Sequence, residues 1–176
     1  MSRHSEFSRS VMPHLDAAYN LARWLTRNDH DAEDVVQEAM LRAYRFYDGL
    51  RGDARPWLLA IVRNSSFTWL QVNRPAELAG GIDERALELP DAPDGPEALA
   101  VRAFDRRMLN EAIAALPPQF REVLILRELE ELSYRDIARV ADVRIGTVMS
   151  RLARARRLLA ESMRLLANVS GTQVHE

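Results

Sequence analysis

The segment Ser133 to Arg157, SYRDIARVADVRIGTVMSRLARARR, constrains the fold of this chain more than any other. It spells two short helices joined by a tight turn. Ser133 is placed to cap the first, with Asp136 three residues on in the capping-box position. Ile137, Ala138 and Ala141 give that helix an apolar side of mostly small residues, over which another helix can cross closely. Asp142-Val143-Arg144 reads as the turn. Val148, Leu152, Ala155 and Leu159 then recur at the spacing of one buried stripe. Thr147, Ser150, Arg151 and Arg154 are expected on the opposite side, gathered on one exposed face. A polar, cationic face on the first turns of a second helix is what a helix-turn-helix puts into the DNA major groove. There arginine bonds guanine bidentately, and Thr or Ser reaches a phosphate or a base edge. An arginine-rich amphipathic helix is more often just a solvated face; the cap, the turn and the reading face taken together favour DNA.

The rest of the composition narrows the class. With 176 residues, 47% apolar and 28% charged, the chain reads as a globular protein of one large or two small domains. No apolar run approaches the ~18 residues of a membrane span, and the first residues lack the apolar core of a signal peptide, so a cytoplasmic protein is expected. The chain has no cysteine, which removes disulfides, thiolate nucleophiles and zinc–thiolate sites. His4, His14, His30 and His175 are scattered, so no metal or other cofactor is expected. A net charge of −2 argues against a protein that merely coats DNA. The distribution says more. Every basic residue is arginine, and between Ala76 and Ala98 Arg85 stands alone against Glu77, Asp83, Glu84, Glu88, Asp91, Asp94 and Glu97.

The periodicity predicts an all-α fold of two small helical domains joined by a flexible acidic linker, the C-terminal domain containing the helix-turn-helix. A helix from Pro13 to about Thr26 carries Leu15, Ala18, Tyr19, Ala22 and Leu25. Asp31 is the expected cap of the next, which runs to about Tyr47 and buries Val35, Val36, Ala39, Met40, Ala43 and Phe46. A third begins near Pro56 and holds Trp57, Ile61 and Trp69 to about Val72. Pro75, Gly80-Gly81, Pro90, Pro93 and Pro96 mark a linker by composition, in which Leu87 and Leu89 form no stripe. A second unit from Glu97 carries Val101, Phe104, Met108, Ala112, Ile113 and Leu116. After Pro117-Pro118, a helix from Gln119 to about Glu130 holds Phe120, Val123, Leu124 and Leu126. The tail from Asn168 is polar and expected to fray. The domain boundaries are 1–73, a linker at 74–97, 98–170, and a tail at 171–176.

No catalytic constellation is present: there is no Gly-rich phosphate loop and no Ser, His and acid grouping, so a non-enzyme is expected. The acids at Asp31 to Asp34 suit a helix N-terminus, but Gln37 and Glu38 lie too far along for the dipole to explain them. With Glu33 and Arg42 they read as a polar protein-binding face.

Two sets of motifs carry a resemblance. Asp31-Ala32-Glu33-Asp34-Val35-Val36-Gln37-Glu38-Ala39-Met40, Arg51-Gly52-Asp53 and Trp57 to Asn64 resemble the second conserved region of bacterial sigma factors. Leu116-Pro117, Arg127-Glu128-Leu129, Leu132-Ser133-Tyr134, Ile137-Ala138, Gly146-Thr147-Val148, Ser150-Arg151-Leu152 and Arg154-Ala155-Arg156 resemble the fourth. The short two-domain layout is similar to that of extracytoplasmic-function (group 4) sigma factors. The resemblance implies that Glu33, Asp34, Gln37 and Glu38 dock on the clamp helices of the RNA polymerase β′ subunit, with the β flap as a second contact. It implies that Asn64 captures a base flipped from the −10 element and that Arg63 holds the melted strand; only an extruded base exposes its pairing edge. Trp57 and Trp69 fit either stacking on bases or the core, and helical spacing favours the core. Arg127, Arg144, Thr147, Ser150, Arg151 and Arg154 are the residues implied at the −35 duplex. An anti-sigma factor, membrane-anchored in many relatives, is a further implied partner.

Three positions depart from the family pattern. Met40 stands where Phe is common, Met149 where a base is common, and Arg144 where Pro is frequent; the last two bear on −35 sequence preference. The acidic linker suits the basic RNA-exit path that relatives thread, and it equally suits a solvated tether. Two rivals remain at this stage: a conventional helix-turn-helix regulator, and a sigma mimic that binds only an anti-sigma factor.

Overall fold

The described residues of the computed structural model are 1–79 and 106–172, and they are helical with no strand. Residues 80–105, which include Leu87 and Leu89 of the expected linker and Val101 and Phe104 of the expected following helix, and residues 173–176 lie outside the described part.

The first half is built from α1 (Arg3–Val11), α2 (Leu15–Thr26), α3 (Asp29–Arg45), α4 (Ala54–Asn73) and the short α5 (Pro75–Ala79). Helices α2, α3 and α4 pack on one another around Leu21, Leu25, Val35, Ala39, Leu58, Leu59 and Val62. The expected first helix is preceded by α1, which sequence periodicity alone did not bring out. Its only buried side chains are Phe7 and Val11, one helical turn apart, and Ser2 caps it by accepting from the Ser5 N–H. Phe7 sits edge-on against both Tyr44 and Tyr47, which pins α1 to the end of α3.

Three expectations in this half need correction. The cap of α3 is Asn28 rather than Asp31; the Asn28 side chain accepts from the Asp31 N–H at 3.1 Å, which adds Asp29 and His30 to the helix. Phe46 is 60% exposed rather than buried. The helix ends at Arg45, and Phe46 takes a non-helical backbone (φ −100°, ψ 13°), so the periodic spacing no longer directs it inward. Residues 75–79, expected as linker, form α5, where Arg27 bonds Glu77 and extends order past α4.

The second half contains α6 (Arg106–Ala114), α7 (Pro118–Glu128), α8 (Tyr134–Ala141) and α9 (Ile145–Thr172). The helix-turn-helix forms as read. Ser133 accepts from the Asp136 N–H at 3.1 Å, and Asp142 ends α8 in the left-handed region at φ 54°. Val148, Leu152, Ala155 and Leu159 are all buried. Helix α9 continues past Asn168 to Thr172, beyond the expected fraying point.

The halves are not two beads. Helix α8 packs on α4 and α7 packs on α2, so one apolar cluster runs from Phe7 through Leu59 and Val123 to Met163.

Candidate functional site

The face of α3 opposite its buried Ala32, Val35, Val36 and Ala39 carries Glu33, Asp34, Gln37 and Glu38, all exposed. Glu38 accepts from Arg42 one turn on at 2.8 Å. The helix adds two residues that the sequence reading did not single out. Leu41 is 67% exposed and Tyr44 is 38% exposed, continuing the same surface at helical spacing. The strip thus combines acids with one uncovered leucine.

The arginines behave differently. Arg63 of α4 donates from Nε to Glu122 Oε2 at 2.9 Å and from Nη2 to Oε1 at 3.3 Å. Asn64, beside it, is exposed and accepts from Arg63 Nη1 at 3.4 Å. Glu122 belongs to α7, in the other half, and is 0% exposed. Burial pushes its carboxyl above the ordinary range, while the Arg63 and Arg151 guanidiniums pull it back only in part. Breaking a buried pair of this kind costs about 3–5 kcal/mol, because the remaining charge has no water to turn to.

Arg151 corrects another expectation: it is 8% exposed and not on the open face. It lies three residues after Val148 and four before Ala155, which puts it on the flank of the buried stripe, near enough to Glu122 of α7 to act on its charge. Thr147, Ser150 and Arg154 are half-buried, and Ser150 Oγ donates to the Gly146 carbonyl at 2.9 Å. Arg144, Ile145, Gly146 and Met149 are the exposed residues at the start of α9. Arg127 donates to the Leu132 carbonyl at 2.9 Å and lies over the Tyr134 ring at 4.6 Å, which braces the entry to α8. Trp57 and Trp69 are partly buried against the core.

Helix α7 supplies residues that the sequence reading missed. Arg121 is 1% exposed and donates to the carbonyls of Trp24 at 2.8 Å, Leu25 at 3.2 Å and Leu116 at 2.8 Å. Burial and the neighbouring Arg27 lower its pKa to about 10. The first two carbonyls belong to the C-terminal end of α2, which carries partial negative charge that the guanidinium satisfies. A third tie lies nearby: Arg55 donates to Glu130 Oε2 at 2.8 Å and to the Glu130 carbonyl at 2.7 Å, while Asn20 donates to Glu130 Oε1 at 2.9 Å. A signal for these residues was present. Phe120, Val123, Leu124, Ile125 and Leu126 leave α7 no polar side, so Arg121 and Glu122 had to be buried.

No group of His, Cys, Asp and Glu among the described residues is arranged to hold a metal, and no described helix is long and apolar enough to cross a membrane.

Comparison with known proteins accounts for both halves. Residues 11–74 match the Sigma-70 region 2 family and residues 106–159 match Sigma-70, region 4. The ECF RNA polymerase sigma-E factor of Haemophilus influenzae is 36% identical over 156 residues, 83% of this chain and 80% of that protein. The sigma-E factor of Escherichia coli K12 is 36% identical over 136 residues, 72% of this chain and 70% of that one. Among solved structures, the sigma factor RpoE of Bartonella quintana, crystallised with the anti-sigma factor NepR, aligns with a TM-score of 0.68 at 25% identity, covering 90% of this chain and 97% of that one. CnrH, solved with the cytosolic domain of CnrY, shares the fold with a TM-score of 0.65 at 22% identity, over 92% of this chain and 90% of that one. Two sigma regions in this order, on this helical frame, place the chain in the extracytoplasmic-function branch of the sigma-70 family.

Proposed function

We propose that this protein is a cytoplasmic promoter-specificity factor, and not itself an enzyme: core RNA polymerase performs the chemistry and this chain directs it. The reading rests on one observation above all, an exposed acidic α3 strip in a region 2 match followed by a helix-turn-helix in a region 4 match.

Glu33, Asp34, Gln37 and Glu38 dock on the β′ clamp helices, with Leu41 as an apolar anchor. The second half meets the β flap. Arg63 and Asn64 hold the unpaired −10 strand, and their adjacency on α4 supports a shared role, one charge for phosphate and one amide for a base edge. Arg127, Arg144, Thr147, Ser150, Arg151 and Arg154 serve the −35 duplex, with Arg144 the most open of them. The domains are 1–73 and 98–170, joined by 74–97. An anti-sigma factor restrains the chain, a reading supported by its likeness to the sigma factor crystallised with NepR.

The test is transcription from purified components. Core polymerase with this chain should start at promoters that core alone ignores, and Glu38→Arg should weaken the effect. Identical start sites with and without the chain across a genomic promoter library would overturn the reading.

A further inference from the structure

Of the residues expected to read the −35 duplex, the helix-turn-helix turns few outward. Arg151 is 8% exposed, and the Ser150 hydroxyl donates its proton to the Gly146 carbonyl at 2.9 Å. What the first two turns of α9 do present is apolar. Ile145 is 45% exposed and Met149 is 54% exposed, and they stand one helical turn apart on one face. Gly146 lies between them, exposed, with nothing of the chain within 4 Å of the place where a Cβ would sit. Its φ is not positive, so neither packing nor backbone conformation calls for glycine there. A glycine lowers helix stability relative to alanine. Its use is that something from outside can come close to the backbone. The motif around this face is cationic: Arg135, Arg139 and Arg144 are exposed, against one exposed acid, Asp142.

We propose that Ile145 and Met149 read thymine methyl groups in the −35 element, on base pairs about two steps apart, while Gly146 lets the helix backbone come close to the groove floor. This deepens the sigma reading above and rests on it. In the major groove the thymine C5-methyl is the one apolar group that a base pair shows; the other recognition points are hydrogen-bond donors and acceptors. Neither an Ile nor a Met side chain offers a donor. Pressed against a guanine or cytosine edge, they strip water from polar groups and return nothing; against a methyl they exclude water from apolar surface on both sides. The strip therefore selects by gain and by rejection. Four residues rise about 6 Å along a helix and successive base pairs about 3.4 Å, which sets the two-step spacing. Arg135 and Arg139 lie on the first helix of the motif, the one that crosses the phosphate backbone in this class of docking. Phosphate contacts hold the register, and the apolar pair supplies the sequence.

The test uses synthetic duplex promoters, core polymerase and the full chain. Selection from a library randomised over the −35 window should recover thymines, on either strand, at two positions about two steps apart. Replacing each by deoxyuridine removes the methyl alone. For the parent chain, promoter affinity should fall about fourfold per methyl and about 15-fold for both, the worth of such groups removed from water. The double variant Ile145→Ala, Met149→Ala should bind the thymine promoter as weakly as the parent binds the deoxyuridine one, and methyl removal should then cost it little more. Gly146→Ala should hold or raise the Tm and still lower promoter affinity several-fold, a split that a purely structural glycine does not give. A parent indifferent to deoxyuridine, or an equal methyl loss in parent and double variant, overturns methyl readout. So does a double variant that binds core polymerase more weakly without DNA, since the strip is then a protein contact. Gly146→Ala at full promoter affinity overturns the close approach. Recovery of no promoter at all counts against the sigma reading, whereas a recovered promoter blind to its methyls sinks this inference alone.

Discussion

Helices α3 and α4 lie side by side in the same half and use their polar residues in opposite ways. Helix α3 offers Glu33, Asp34, Gln37 and Glu38 to solvent; Glu38 pairs with Arg42 of the same helix, and Asp29 in the first turn pairs with Arg23 of α2, within the same half. Helix α4 turns Arg55 and Arg63 onto Glu130 and Glu122 of the other half. The difference teaches that exposure to solvent and pairing across the two halves are set separately on neighbouring helices. The surface assigned to polymerase is ready in this conformation, and the fork assigned to the melted strand is engaged.

The largest expected effect that probes this contrast is at the junction. Arg63→Ala leaves Glu122 buried without its partner and should cost about 3–5 kcal/mol in denaturant unfolding, whereas Glu33→Ala should stay within about 0.5 kcal/mol. The Arg63→Ala deficit should also shrink on acidification. A carboxyl whose folded pKa lies above its unfolded value takes up a proton on folding, so the native state gains as pH falls through that interval; Glu122 is such a group. Equal losses at the two positions would break the contrast.

Next comes the open face. Glu38→Arg reverses charge at the centre of the α3 strip and should weaken core polymerase binding by about 2 kcal/mol, roughly 30-fold, with an unchanged Tm. A Tm that falls in parallel would mean that the strip belongs to the fold after all. Arg154→Ala, half-buried on α9, should cost about 1–3 kcal/mol in binding a −35 duplex in the presence of polymerase. Titration at two salt concentrations separates loss of a base contact, which is sequence-dependent, from loss of a phosphate contact, which lowers the salt slope.

The smallest effect sets a baseline away from both faces. Asp142 holds the left-handed backbone at φ 54°, a conformation that glycine adopts without penalty. Asp142→Gly should gain about 0.5–1 kcal/mol in thermal unfolding. A loss instead would show that the carboxylate itself braces the turn.

Much of the frame was legible because helical periodicity and caps are local signals. The Ser133 cap, the Asp142 turn and the stripe from Val148 to Leu159 follow from spacing alone, and so does the α3 strip. The misread residues lie where spacing stops being sufficient. Arg151 sits on the flank of its stripe, and a flank is open or covered only according to what packs beside it. Phe46 fell one residue beyond a helix end. Arg121 and Glu122 had a local signal, an apolar surround on every side of α7, but nothing local named the partners that make two buried charges tolerable.

The sequence by itself determined α2, α3, α4, the helix-turn-helix and the acidic face of α3, because each depends on residues within a few turns of one another. The pairing of Arg63 with Glu122, 59 positions apart, was decided only in three dimensions. A guanidinium is equally suited to phosphate, guanine or carboxylate, and which of them it holds depends on what the folded chain brings within reach.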